Sequence, residues 1–306
     1  MSRIAIITDS SSGLSQELIA RHELHVLPYY ILAGGRMLHD GIQISRDEVF
    51  RLLRDGRHLP QTKAPTPDDF AALFRSLLGR VDAALVILPP RERTSAYQHA
   101  RSAGARIPEL PITLIDSRQV SAGQALVVLA AARARDAGGD LDAVVKAAEA
   151  AVERMEFWIV LASLKFAARS GRVPNLEQHQ PVWQAEDAAH ARVPLMRHEH
   201  GAPHIVFSAN SADAAIERLK RELVDRVQGQ QLHVAITHAG EVVRAESIRA
   251  WAQSTWSPCE LRVFELPPIL AVYSGPGAMG VAVYSDSPYV VGQDFTAESA
   301  EDAEIC

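Results

Sequence analysis

The stretch IAIITDSSSGLS, residues 4–15, decides how the chain should be read. Ile4 to Ile7 form an unbroken apolar run with no polar alternation, as expected of a strand in a parallel sheet covered on both faces. Thr8, Asp9, three serines and Gly13 then break the run with turn and cap residues. The next segment, LSQELIARH (14–22), reads as a helix that Ser12 or Ser15 caps. A buried strand that passes through a polar turn into a helix begins an open α/β sheet, and such sheets bind ligands beyond the carboxyl ends of their strands.

The same texture recurs downstream. AALVILPP (83–90) and ITLIDS (112–117) are two further buried strands. HVLPYYILAGGRMLHDG (25–41) reads as two strands around Gly34 and Gly35. ISRDEVFRLLRDG is a helix capped by Ser45, and PTPDDFAALFRSLLGR is one capped by Thr66 with Pro67 at its first position. TSAYQHARSAGA, AGQALVVLAAARARDAG and LDAVVKAAEAAVERM are three more helices. The expected N-terminal unit is therefore an α/β domain with a parallel sheet, residues 1–170.

After about residue 170 strand-like runs dominate: RVPLMR, APHIVFS, LHVAITH, ELRVFELP and GVAVYS, with two helices among them. SADAAIERLKRELVDRVQG places Ile216, Leu219, Leu223 and Val227 on one stripe, offers a Glu217–Arg221 pair, and stops at Gly229. EVVRAESIRAWAQSTW is the other helix. A C-terminal α+β domain over 171–288 is expected, with 289–306 an acidic frayed tail.

The 306 residues suffice for two domains, and 47% hydrophobic with 22% charged residues is an ordinary globular mixture. A net charge of −6 argues against nucleic acid as a partner. Cys259 and Cys306 lie in no metal-binding spacing and suit a reducing compartment. The apolar start is too short for a signal peptide, and ALVVLAAA (125–132) is too short to span a bilayer. A cytoplasmic location is expected.

Several motifs raise sharper possibilities. In SGPGAMG (274–280), Gly275, Gly277 and Gly280 have the spacing of the dinucleotide fingerprint. That fingerprint must open a helix, and Val281-Ala282-Val283-Tyr284 reads as a strand instead, so a glycine-rich turn between two strands is expected. RHEHGAPH brings His198, His200 and His204 together, either as metal ligands or as a solvated loop edge. No hydrolase elbow and no P-loop is present. The residues expected beyond the strand ends are Thr8, Asp9, Ser10, Ser11 and Ser12, with Asp116 and Ser117. They could cap helices, or they could serve a hydrolase or phosphotransferase acting on a small carboxylate or phosphate ligand. Read from the residues alone, the chain is a two-domain protein with a hydroxyl-rich site and no obvious nucleophile–base pair.

Eight segments in order add to this reading. They are IAIITDSSSGL, HVLPYYILAGGRMLHDGIQISRDEVF, QTKAPTPDDF, RTSAYQHA, LIDSRQVSAGQALVV, LKFAARSGRV, VAITHAG and PPILAVYSGPGAMGVAVY. Together they resemble the DegV family over nearly the whole chain. The resemblance implies the two-domain DegV-like (EDD) fold with a ligand between the domains. It implies a carrier without chemistry of its own, which binds a long-chain fatty acid and presents its carboxylate to a separate fatty acid kinase. No metal and no cofactor is implied beyond the bound fatty acid, and a transient contact with a membrane surface is. The matching positions for the carboxylate are Thr62, Thr94, Ser95, Tyr273 and Ser274. The pocket or docking positions are Asp9, Ser10, Ser117, Arg172, His238, Gly275 and Gly277. The chain departs from the family pattern at Tyr273 and Ser274, which replace His-Thr, and at Ser95, Ser170 and Ala64. The segment from Val173 to Pro181 is also shorter, a change that bears on the wall of the acyl tunnel.

Overall fold

The computed structural model describes residues 3–57, 59–169, 171, 173, 174, 176, 192–227 and 231–286. Strand β1 (Ile4–Asp9) is buried along its full length and lies between β2 (His25–Leu27) and β6 (Ala83–Leu88), with β7 (Ile112–Asp116) beyond. All three pairings are parallel, so the first sheet has the order β2-β1-β6-β7. Asp9 accepts from the Ser11 amide and starts a short 3-10 turn, Ser10–Ser12. Ser15, rather than Ser12, caps α1 (Gln16–Arg21).

Local chemistry builds the neighbouring elements. Strands β3 (Tyr30–Ala33) and β4 (Arg36–His39) form a hairpin around Gly34 and Gly35, both at positive φ. With β5 (Gln61–Lys63) they make a small antiparallel sheet of order β4-β3-β5. Ser45 with Glu48, and Thr66 with Asp69, form reciprocal capping boxes on α2 (Arg46–Asp55) and α3 (Pro67–Leu77). Helix α4 (Ala96–Gly104) follows β6.

Helices α5 (Ser121–Asp136) and α6 (Leu141–Glu153) complete the N-terminal half. Residues 121–132 of α5 are all buried. The reason lies in the second sheet. On one side α5 packs with Ile4, Ile6, Leu85 and Ile87 of the first sheet; on the other it packs with Phe157, Ala235, Ala282 and Tyr284. A helix held between two sheets needs apolar residues all round, which is what ALVVLAAA provides.

The second sheet has the order β10-β9-β8-β13-β11-β12. It is mixed: β11 (Leu232–His238) and β12 (Glu260–Glu265) pair in parallel and the others antiparallel. Strand β8 (Glu156–Val160) lies inside it, between β9 (Val193–Glu199) and β13 (Met279–Ser285), so the sheet takes a strand from before residue 170. Strand β10 (Ala202–Ala209) forms its edge. Between β8 and β9 the chain makes α7 (Lys165–Arg169). Trp158, Val160, Leu195, Val234, Ile236, Val281 and Val283 face outward under α8 (Ala212–Arg226) and α9 (Val242–Trp256). The expected stripe of α8 is buried there, but its ion pairs differ: Glu217 meets Lys220 at 2.8 Å, while Arg218 and Arg226 both meet Glu222. Gly229 and the tail lie outside the described residues.

One further expectation is corrected. PILAVYS is a helix, α10 (Pro268–Ser274), so the glycine-rich loop joins a helix to a strand, not two strands. That order is the reverse of what a dinucleotide fingerprint requires. Among the described residues no helix is long and apolar enough to cross a membrane.

Candidate functional site

A cavity of about 370 Å³ lies where the carboxyl ends of β1 and β6 face the inner side of the second sheet. Its size is at the lower end of the range for small-molecule sites. Phe157, Ile159, Leu161 and Met196 form the floor, and Leu266, Ile269 and Leu270 close one side. These residues face the first sheet because strand alternation sends Trp158 and Val160 to the other side.

Hydroxyl groups from four separate segments line the opposite wall. Thr62, on β5, shares a hydrogen bond with the Tyr273 hydroxyl on α10. Thr94, just before α4, shares one of 2.7 Å with Tyr29, and its oxygen also accepts from the Ala96 amide at 3.3 Å. Ser95 and Ser274 line the same cavity, as do Lys63 and Arg93. Two cations and no carboxylate among the described lining residues make this wall suited to an anion. Thr62, Thr94, Ser95, Tyr273 and Ser274, the positions matched to a carboxylate, therefore share one cavity.

The other sequence-matched positions lie elsewhere. Asp9 is fully buried behind Ser11, outside the cavity wall. It accepts hydrogen bonds from the Ser11 amide and hydroxyl and from Gln124. Burial raises its pKa to about 7 against those bonds, and the neighbouring Asp40 carboxylate adds to the rise. Asp40, also buried, is pushed up to about 6 while accepting from the Ile269 amide at 2.8 Å. Ser10 accepts from the Tyr29 amide at 3.0 Å. The Ser117 oxygen lies 2.8 Å from the Leu88 carbonyl and 3.0 Å from that of Gln119, tying two strand ends together. Of the strand-end residues proposed for an enzyme, only Ser11 reaches the cavity. His238 is buried outside the wall, and burial lowers its pKa. Arg172 lies outside the described residues.

Gly275 and Gly277 also sit behind the wall, where packing requires them. Gly275 has φ +69° and ψ −179°, a conformation nearly confined to glycine, and a Cβ there would strike the Phe166 ring. A Cβ on Gly277, at φ +80°, would come within 2.8 Å of Ala162. Gly280 does line the cavity; its missing side chain makes room for Phe157 and Thr237.

The three histidines do not converge on one site. His198 is buried in the cavity wall, its ring centroid 5.8 Å from that of Phe157. His200 sits at the β9–β10 turn with φ +48°, and His204 stands opposite Arg197 on β10. Among the described residues no group of three or more His, Cys, Asp or Glu could hold a metal ion.

Sequence reading missed Tyr29, Lys63, Arg93, Ser121 and Thr237 as cavity residues. Ser121, at φ +51°, donates to Thr237 across the two halves of the chain at 3.1 Å. No spacing pattern announces such a pair.

Comparison with known proteins agrees with this architecture. The family model described as uncharacterised proteins of the DegV family matches residues 3–286. A DegV domain-containing protein of Streptomyces coelicolor is 27% identical over 287 residues, 93% of this chain and 100% of the relative. A solved DegV family protein from Thermus thermophilus, described by its fatty acid binding, matches with a TM-score of 0.85 and 26% identity. That match covers 92% of this chain and 99% of the other. A stearic acid-binding protein from Eubacterium ventriosum shares the fold, with a TM-score of 0.78 at 20% identity, over 93% and 98% of the two chains.

Proposed function

The chain belongs to the DegV family, and on that premise we propose that it is a carrier for one long-chain fatty acid held in the cavity between its sheets. Thr62, Thr94, Ser95, Tyr273 and Ser274 hold the carboxylate, with Lys63 and Arg93 supplying positive potential. The observation that carries this reading is the division of the cavity into an apolar floor and a hydroxyl-rich wall free of carboxylates among its described residues. The relative from Thermus thermophilus, described by its fatty acid binding, supports it.

The energetics suit such a ligand. A tail of about sixteen carbons contributes roughly 10 kcal/mol of gross transfer energy at ~0.8 kcal/mol per buried CH₂, before the costs of association. An ionised carboxylate taken out of water needs donors, and hydroxyls meet that need. Thr62 and Tyr273, and Thr94 and Tyr29, bond to one another here. An arriving carboxylate would take the place of one partner in each pair and accept the hydrogen bond that the other donates.

The carrier performs no chemistry itself. It presents the carboxylate to a separate fatty acid kinase in the cytoplasm, after loading that involves brief contact with a membrane surface. Arg172 and His238 assist docking or orientation. An enzyme reading would turn on Asp9, whose raised pKa is the feature that favours it; its burial behind Ser11 argues for the carrier.

Denaturing extraction of the purified protein, followed by mass spectrometry, tests the proposal. One fatty acid per chain is expected, and added ATP with a fatty acid kinase should convert it to the acyl phosphate. A protein that carries none and takes up neither added palmitate nor oleate would refute the carrier reading.

A further inference from the structure

His198 is the unexplained residue of the cavity. It stands on the apolar floor, on the same face of β9 as Met196 and beside Phe157 of β8. Other polar side chains that line the cavity have partners: Ser121 bonds Thr237, and Ser11 bonds Asp9 and Gln124. The Nδ1 atom of His198 is buried and has no hydrogen-bond partner. Among the described residues, it is the one cavity-lining side chain with an orphaned buried polar atom. A buried imidazole nitrogen without a hydrogen-bond partner carries a desolvation cost that an apolar residue of similar shape would remove. Burial, with the nearby His204 and Arg93, drives its pKa down to about 3, so the ring is neutral and offers one N–H donor and one acceptor. No hydrogen bond at Nδ1 fixes which of its two half-turn orientations the ring adopts.

We propose that His198 reads an oxygen on the acyl chain, so that the preferred ligand is a long-chain hydroxy fatty acid whose hydroxyl hydrogen-bonds the imidazole. A hydroxyl both donates and accepts, so it matches either tautomer of the ring. An unsubstituted chain would leave the ring unsatisfied against CH₂ groups. The inference rests on the carrier reading and adds the substrate class.

Competition between octadecanoate and its mid-chain monohydroxylated isomers, read by native mass spectrometry, tests it. The wild-type protein should favour at least one hydroxylated isomer by about tenfold, the effect of one buried hydrogen bond. His198→Leu should abolish or invert that preference, and His198→Gln should retain part of it. If His198→Leu does not fold, nitrogen-labelled histidine in the wild-type protein serves instead. The His198 ring signal should then shift with the hydroxylated acid and not with octadecanoate. A wild-type protein that takes both acids equally would overturn the inference and leave the carrier reading intact. So would a preference that survives in His198→Leu, or a ring signal indifferent to the hydroxyl. A protein that takes neither acid would overturn both.

Discussion

The cluster after β1 and the wall around Thr62 are both rich in hydroxyl groups but are assembled in different ways. Asp9, Ser10, Ser11, Ser12 and Ser117 are contributed mainly by a single turn and its neighbouring strand end. They bond one another, the backbone and Gln124. Thr62, Thr94 and Tyr273 come from three distant segments and open onto an apolar cavity. Hydroxyls close in sequence are absorbed by turns and caps. Hydroxyls gathered from afar pair across segments instead, Thr62 with Tyr273 and Thr94 with Tyr29, at the lining of the cavity. On the proposed reading, binding and folding fall to two groups of hydroxyl-bearing residues that look alike in the sequence.

Substitutions can break or sharpen that separation. The largest effect is expected from Thr62→Ala with Thr94→Ala. Each lost donor to a buried carboxylate costs about 1.5–3 kcal/mol, so fatty acid retention should fall a hundredfold or more, while the lost bonds to Tyr273 and Tyr29 cost about 1 kcal/mol each in stability. Retention close to wild type in a competition assay would dissolve the distinction. Gly275→Ala should follow, with a loss of about 3 kcal/mol in denaturant unfolding. The residue must hold φ +69° beneath the Phe166 ring, and the α10 helix carrying Tyr273 ends there.

Asp9→Asn tests the buried cluster after β1. A carboxyl whose pKa is raised on folding holds its proton more tightly in the folded protein. Its contribution is full below the ordinary value of 3.8 and is lost as pH rises through about 7. Stability of the wild type should therefore decline over that window by roughly 2–4 kcal/mol, with the variant's profile flatter. A pH series of urea unfolding curves would reveal equal slopes if the carboxyl were ionised throughout. The smallest effect is expected from Ser117→Ala, about 1 kcal/mol of stability with fatty acid retention unchanged. A loss of retention there would move the ligand toward the strand ends.

Much of the fold was legible because it is locally encoded. The caps at Ser45 and Thr66, the turn at Gly34–Gly35 and the stripe of Ile216, Leu219 and Leu223 each depend on neighbours within a few residues. The α10 helix was misread because PILAVYS is as apolar as a buried strand and too short for a period to show. The place of β8 in the second sheet was also hidden, because EFWIV carries no mark of which sheet will receive it. For the site, family resemblance supplied the hydroxyl positions; the residues alone pointed to the strand ends.

The amino-acid sequence by itself determined the alternation of strands and helices, their caps, and the apolar α5 segment that had to be buried. Those features follow from backbone sterics, hydrogen-bonding residues near helix ends, and the period of hydrophobic side chains. Tertiary structure alone decided which polar groups share a cavity. Thr62 and Tyr273 are 211 residues apart, and Ser121 meets Thr237 from the other half of the chain. His198 became a cavity residue only when β9 turned that face toward the first sheet. Such neighbours are set by the packing of two sheets on one helix, a long-range arrangement that no local pattern records.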